Sequence, residues 1–82
     1  MISTERAKLN ISENLQRLMK AKGITQLVLA AGAQISQPFV HKMLHGKILP
    51  NAVALRNVAE VLGVSTDELM DDPEKISEKL PA

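Results

Sequence analysis

The sequence predicts an all-α fold, a compact bundle of about five short helices, and three observations carry that expectation. Apolar residues recur at i, i+3 and i+4 along most of the chain, and no alternating apolar–polar run marks a strand. Residues that open helices (Ser, Thr, Asn) and the glycines that close them flank the periodic segments. Phe39 is the single aromatic and there is no cysteine, so the core must be built from Leu, Val, Ile, Met and Ala without disulfides.

The first helix is expected over residues 11–22, with Asn10 as N-cap and Glu13 reaching back in a capping-box arrangement. Its apolar stripe is Ile11, Leu15, Leu18 and Met19, and Gly23 ends it by accepting a left-handed conformation. Residues 25–46, TQLVLAAGAQISQPFVHKMLHG, predict two further short helices joined by a tight turn. Thr25 caps the earlier of these, Leu29 and Ala30 supply its apolar positions, and the small Ala30, Ala31 and Ala33 let a neighbouring backbone come close. Ser36 caps the later one, whose apolar residues Val40, Met43 and Leu44 fall at i, i+3 and i+4 before Gly46 closes it. Pro38 is tolerated in the first turn, where its missing amide has no helical partner.

A fourth helix opens at Pro50-Asn51, carries Leu55, Val58, Ala59 and Leu62 on one face, and ends at Gly63. A short fifth starts at Ser65, where Glu68 completes another capping box, and contributes Leu69 and Met70. Residues 71–82 are charged and bracketed by Pro73 and Pro81. They read equally as a tail, a sixth short helix with Ile76 and Leu80, or a linker.

The helix opening at Ser36 has a second, polar face. Gln37, Pro38, His41, Lys42 and His45 recur at i, i+1, i+4, i+5 and i+8. A glutamine, a histidine and a lysine projecting from one side suit hydrogen bonding to base edges in a major groove. The segment therefore reads as a DNA-reading helix-turn-helix. Met19 and Met43 read as core filler, and Phe39 either packs under the turn or lies against DNA.

Thr25-Gln26, Leu29-Ala30, Ile35-Ser36-Gln37, Val40, Gly46 and Pro50 resemble, position by position, the helix-turn-helix family of phage repressors and Cro-like regulators. The resemblance continues through Leu55, Val58, Ala59, Leu62-Gly63-Val64-Ser65 and Leu69, so it covers roughly residues 11–70. It implies a λ repressor-like DNA-binding domain there, preceded by an N-terminal arm over residues 1–10 and followed by an acidic tail or linker over 71–82. It also implies that the helix opening at Ser36 is the recognition helix, that Gln37 contacts a base, and that Gln26 contacts a phosphate and buttresses Gln37. Two positions depart from the family. Gln34 stands where glycine is common, so the turn must hold a non-glycine residue, in a left-handed conformation that costs about 1 kcal/mol or more. Leu44 replaces a frequent glutamate, which fits a more apolar seam, and Pro38, His41 and Lys42 are too unlike typical members for the target sequence to be inherited.

A chain of 82 residues buries only ~60–65% of its unfolded surface, so it is expected to be marginally stable alone and inclined to use a partner. The net charge of +1 hides an asymmetry. Arg6, Lys8, Arg17, Lys20, Lys22, Lys42 and Lys47 face only Glu5 and Glu13 in residues 1–50. From residue 51 onward Glu60, Asp67, Glu68, Asp71, Asp72, Glu74 and Glu78 outweigh Arg56, Lys75 and Lys79. Such a split is either an ordinary solvated surface or a basic half that meets a polyanion, and the motif favours the second. No apolar run approaches the ~18–20 residues of a membrane span and no signal-peptide core is present, so a cytoplasmic protein without membrane contact is expected.

Catalysis finds no support, because no nucleophile stands with a base and an orienting group. His41 and His45 have a spacing that also suits a metal, yet no Cys and no carboxylate lies between Lys22 and Glu60 to serve as a third ligand, so no metal or other cofactor is expected. The function expected is a sequence-specific double-stranded DNA-binding transcriptional regulator, most simply a repressor of phage or prophage type. Gln37, Pro38, His41 and Lys42 would read bases; Gln26, Ser36, His45 and Lys47 would hold the backbone. The alternative is an antitoxin-like or other protein-interaction module that uses the fold for assembly, whose docking helix would present an apolar stripe. A palindromic operator is expected to be bound by a homodimer joined through Leu69, Met70, Ile76 and Leu80.

Overall fold

The first helix begins at Ser3, not at Asn10. In the computed structural model, which describes residues 2–73, α1 spans Thr4–Lys22 and the Ser3 hydroxyl accepts the Arg6 backbone N–H at 3.1 Å. The expected start at residue 11, with Asn10 as cap and Glu13 closing a capping box, is thereby corrected, and residues 4–10 are the opening turns of α1 rather than an arm outside it. The physical reason is tertiary. Ala7 is buried and extends the stripe of Ile11, Leu15 and Leu18 back by one turn. Asn10 lies on the same buried side, where its amide donates to the Met70 carbonyl at 2.9 Å.

The other helices are α2 (Gln26–Ala33), α3 (Gln37–Leu44), α4 (Ala52–Leu62) and α5 (Thr66–Met70). Each opens on the side chain expected to cap it. Thr25 accepts the Val28 N–H at 3.2 Å, Ser36 that of Phe39 at 3.1 Å, Asn51 that of Ala54 at 2.8 Å and Ser65 that of Glu68 at 3.1 Å. Gln34 occupies the turn between α2 and α3 at φ 58°, the left-handed conformation expected there of a non-glycine residue.

The core is a single cluster. Ile11, Leu15, Leu29, Val40, Met43, Val58, Leu62 and Leu69 are buried almost completely, and Met19 and Leu44 sit in the same cluster. Phe39 is half-buried and packs against it, so of its two readings the structure supports packing. Ala30 and Ala33 are buried as expected, but Ala31 is exposed. The tight approach lies one residue on, at Gly32, where a Cβ would come within 2.9 Å of Val61 Cγ2 on α4.

α1 packs against α3, α4 and α5, while α2 packs against α3 and α4, so α3 is held between α1 and α2. The short α5 is fastened by α1. Asn14, fully buried, donates through Nδ2 to the carbonyls of Glu68 (3.1 Å), Leu69 (2.8 Å) and Asp71 (2.9 Å). Leu69 is fully buried and Met70 half-buried against the core, so both residues complete the fold; Ile76 and Leu80 lie outside the described residues. Among the described residues no strand is present, and no helix is long and apolar enough to cross a membrane.

Candidate nucleic-acid interface

The amphipathic pattern of α3 sorts its side chains between core and solvent. Val40, Met43 and Leu44 turn into the core, and this leaves Gln37, Pro38, His41 and Lys42 exposed on the other side. Ser36 and Pro38 define the first turn. The Ser36 hydroxyl oxygen accepts the Phe39 N–H at 3.1 Å, and its own hydrogen remains able to donate to an outside acceptor. Gln26 is exposed at the first position of α2, directly after the Thr25 cap.

His45 is the C-cap of α3 and is exposed, as is Lys47 after the Gly46 turn. The backbone N–H of Lys47 donates to the Lys42 carbonyl at 2.9 Å, which holds the lysine close behind the helix end. The structure also unites two residues that the sequence reading assigned to different tasks. The His41 and His45 rings lie with centroids 4.2 Å apart and planes tilted by 51°, so they present one continuous aromatic, hydrogen-bonding surface. The ion pairs Lys8–Glu5 (3.4 Å) and Arg56–Glu60 (3.5 Å) lie on α1 and α4 and involve neither Lys42 nor Lys47. Each of these two lysines therefore projects a donor and a positive charge into solvent beside the α3 face, the chemistry that phosphate oxygens accept.

Two residues that support this face went unnoticed in the sequence. Ser12 and Gln16, on α1, both reach the carbonyl of Leu44 at the end of α3; Gln16 Nε2 does so at 2.9 Å. Their only signature was an i, i+4 spacing beside the stripe of Ile11 and Leu15, which marks a shared side of a helix but names no partner.

Residues 15–69 match the model of a family described as helix-turn-helix. The chain belongs to the helix-turn-helix family. This family, with the relatives that follow, indicates a DNA-binding regulator domain rather than an enzyme. One relative is the HTH-type transcriptional regulator y4dJ of Sinorhizobium fredii, 33% identical over 60 residues that cover 73% of this chain and 78% of that protein. Another is the HTH-type transcriptional activator BcrR of Enterococcus faecalis, 32% identical over 69 residues covering 84% of this chain. The chain spans only 34% of the length of BcrR. No solved structure matches the chain.

Proposed function

We propose that the chain is a sequence-specific double-stranded DNA-binding transcriptional regulator that reads the major groove with α3. The exposed polar face of that helix carries the proposal: Gln37, Pro38, His41 and Lys42 stand clear of the core on an element anchored by Val40, Met43 and Leu44. In this reading Gln37, His41 and Lys42 hydrogen-bond base edges, and Pro38 stiffens the end that enters the groove. Gln26, Ser36, His45 and Lys47 hold the phosphate backbone.

In its simplest form the regulator is a cytoplasmic repressor of phage or prophage type that occupies a palindromic operator as a homodimer. A single reading helix covers too few base pairs to select a site against a genome, and a two-fold pair doubles the contact. Since Leu69 is fully buried, α5 cannot offer it as the centre of the contact between copies.

The antitoxin-like alternative requires an apolar stripe on the exposed side of the docking helix. The large hydrophobic residues exposed in the described chain include Ile2, Leu9, Leu27, Val28, Leu49 and Val53, and none of these lies on α3. That distribution favours nucleic acid over protein as the partner of this helix.

Selection from a random duplex library tests the proposal directly. Repeated rounds with the purified chain are expected to enrich one motif with two-fold symmetry. Enrichment of no sequence would refute it.

A further inference from the structure

The carbonyls in the last turn of α3 are all engaged. His41 O accepts from His45 N at 3.1 Å, Lys42 O from Lys47 N at 2.9 Å, and Met43 O from Gly46 N at 3.1 Å. The Leu44 carbonyl, the last of the helix, is met from outside it. The Ser12 hydroxyl donates to it, Gln16 Nε2 donates to it at 2.9 Å, and the same Nε2 reaches Ser12 Oγ at 3.1 Å. One N–H of the Gln16 amide is shared between the Leu44 carbonyl and Ser12 Oγ, and the two lone pairs of that carbonyl oxygen receive the Gln16 and Ser12 donors. Beside it the chain leaving α3 rests on α1, where a Cβ at Gly46 would stand 3.7 Å from the Lys8 carbonyl and 3.8 Å from Ser12 Cβ.

We propose that Ser12 and Gln16 are positioning residues for base recognition: they fix the C-terminal end of α3 against α1, and so set how His41 and Lys42 meet DNA. This rests on the reading of α3 as the DNA-reading helix. The physical argument concerns direction. Packing of Val40, Met43 and Leu44 holds α3 in the core, but apolar contact is non-directional and tolerates tilt and rotation. Hydrogen bonds are directional, and these converge on one carbonyl at one end.

The opposite end is set separately, by the Ser36 cap and by α2. An eight-residue helix is about 12 Å long, so release of its C-terminal pin lets it pivot about the capped end. Displacement then grows along the helix from Gln37 toward His41 and Lys42. Contacts that need placement within about 0.5 Å, as oriented polar contacts do, are lost first where displacement is largest.

The experiment combines duplex selection with denaturation, using the whole chain and four kinds of variant. His41→Ala, Lys42→Ala and Gln37→Ala first assign base-pair positions to their readers. Ser12→Ala removes the hydroxyl donor, and Gln16→Glu, almost isosteric at an exposed position, removes the N–H donors. Ser12→Thr keeps the hydroxyl and is the rescue. In Ser12→Ala and Gln16→Glu, preference at the positions assigned to His41 and Lys42 should fall about three- to tenfold, the factor a neutral hydrogen bond supplies. Preference at the Gln37 positions should stay within about twofold, below the worth of one such bond. Ser12→Thr should restore the wild-type profile.

A purely structural role predicts lower stability with relative base preferences unchanged at every position. That result, or an equal loss at the Gln37 positions, would overturn the proposal. Absence of any enriched sequence for the unaltered chain is a different outcome: it removes the reading of α3 itself, and the positioning role with it.

Discussion

The side-chain amide of Asn14 stands 2.8 Å from the carbonyl oxygen of Leu69, and that contact fastens the last helix to the first. α5 spans only Thr66–Met70, too short to hold itself by internal hydrogen bonds. The carbonyls of its last residues and of its C-cap are taken instead by α1: Glu68, Leu69 and the C-cap Asp71 by Asn14, and Met70 by Asn10. Asn14→Leu keeps the volume and removes the donors from a fully buried place. The expected loss is about 2–4 kcal/mol, the cost of stranding buried acceptors. Urea denaturation followed by circular dichroism measures it, and an unchanged midpoint would mean that the carbonyls find other donors.

Gly32 is the point of closest approach between α2 and α4. Alanine normally stabilises a helix interior relative to glycine by about 1 kcal/mol. Here the added Cβ would lie 2.9 Å from Val61 Cγ2, and a β-branched side chain has little rotational freedom to yield. Gly32→Ala is therefore expected to destabilise by about 1–2 kcal/mol, as overpacking does. Val61→Ala in the same chain should recover most of that loss. Thermal melts of the two single variants and the double variant decide it, and additive single effects would count against the steric account.

Gln34 offers the opposite case. Its φ of 58° is costly for a residue with a Cβ and costs glycine almost nothing. Gln34→Gly should raise stability by about 0.5–1 kcal/mol, the strain relieved being partly offset by the greater freedom of the unfolded chain. A lowered melting temperature would show that the glutamine side chain contributes more than its backbone conformation costs.

Readers and anchors on the DNA face should separate under salt. Binding is expected to weaken steeply as salt rises, with log K falling by several units per log unit of salt for ~4–6 phosphate contacts per subunit. Gln37→Ala should lower preference for the selected operator by ~1–3 kcal/mol and leave binding to random duplex unchanged. Lys47→Ala should weaken both and flatten the salt slope. Fluorescence anisotropy over a salt series measures all three quantities. Identical behaviour of the two variants would abolish the division.

Self-association should show itself on DNA. Two copies on a palindrome place their reading helices in successive major grooves, roughly 34 Å apart. Titration onto the full operator and onto an isolated half-site is expected to give markedly tighter binding to the former. Equal affinity for both, with a monomer in sedimentation at high concentration, would rule out the dimer.

The sequence by itself determined the helices whose boundaries are local matters. Thr25, Ser36, Asn51 and Ser65 each cap a backbone amide three residues away, and such short-range geometry is legible from residue order alone. The polar face of α3 was legible for the same reason, since helical periodicity assigns Gln37, His41 and Lys42 to the side away from Val40 and Met43. The tertiary structure alone decided where α1 begins, which way Phe39 turns and where α2 comes closest to α4. It also gave Asn10, Ser12, Asn14 and Gln16 their partners, which stand 28 to 60 residues further along the chain. A polar side chain on a helix reads as solvated or as a cap until the carbonyl it serves is brought beside it. That placement follows from packing α3 and α5 against α1, and neither periodicity nor capping carries information about it.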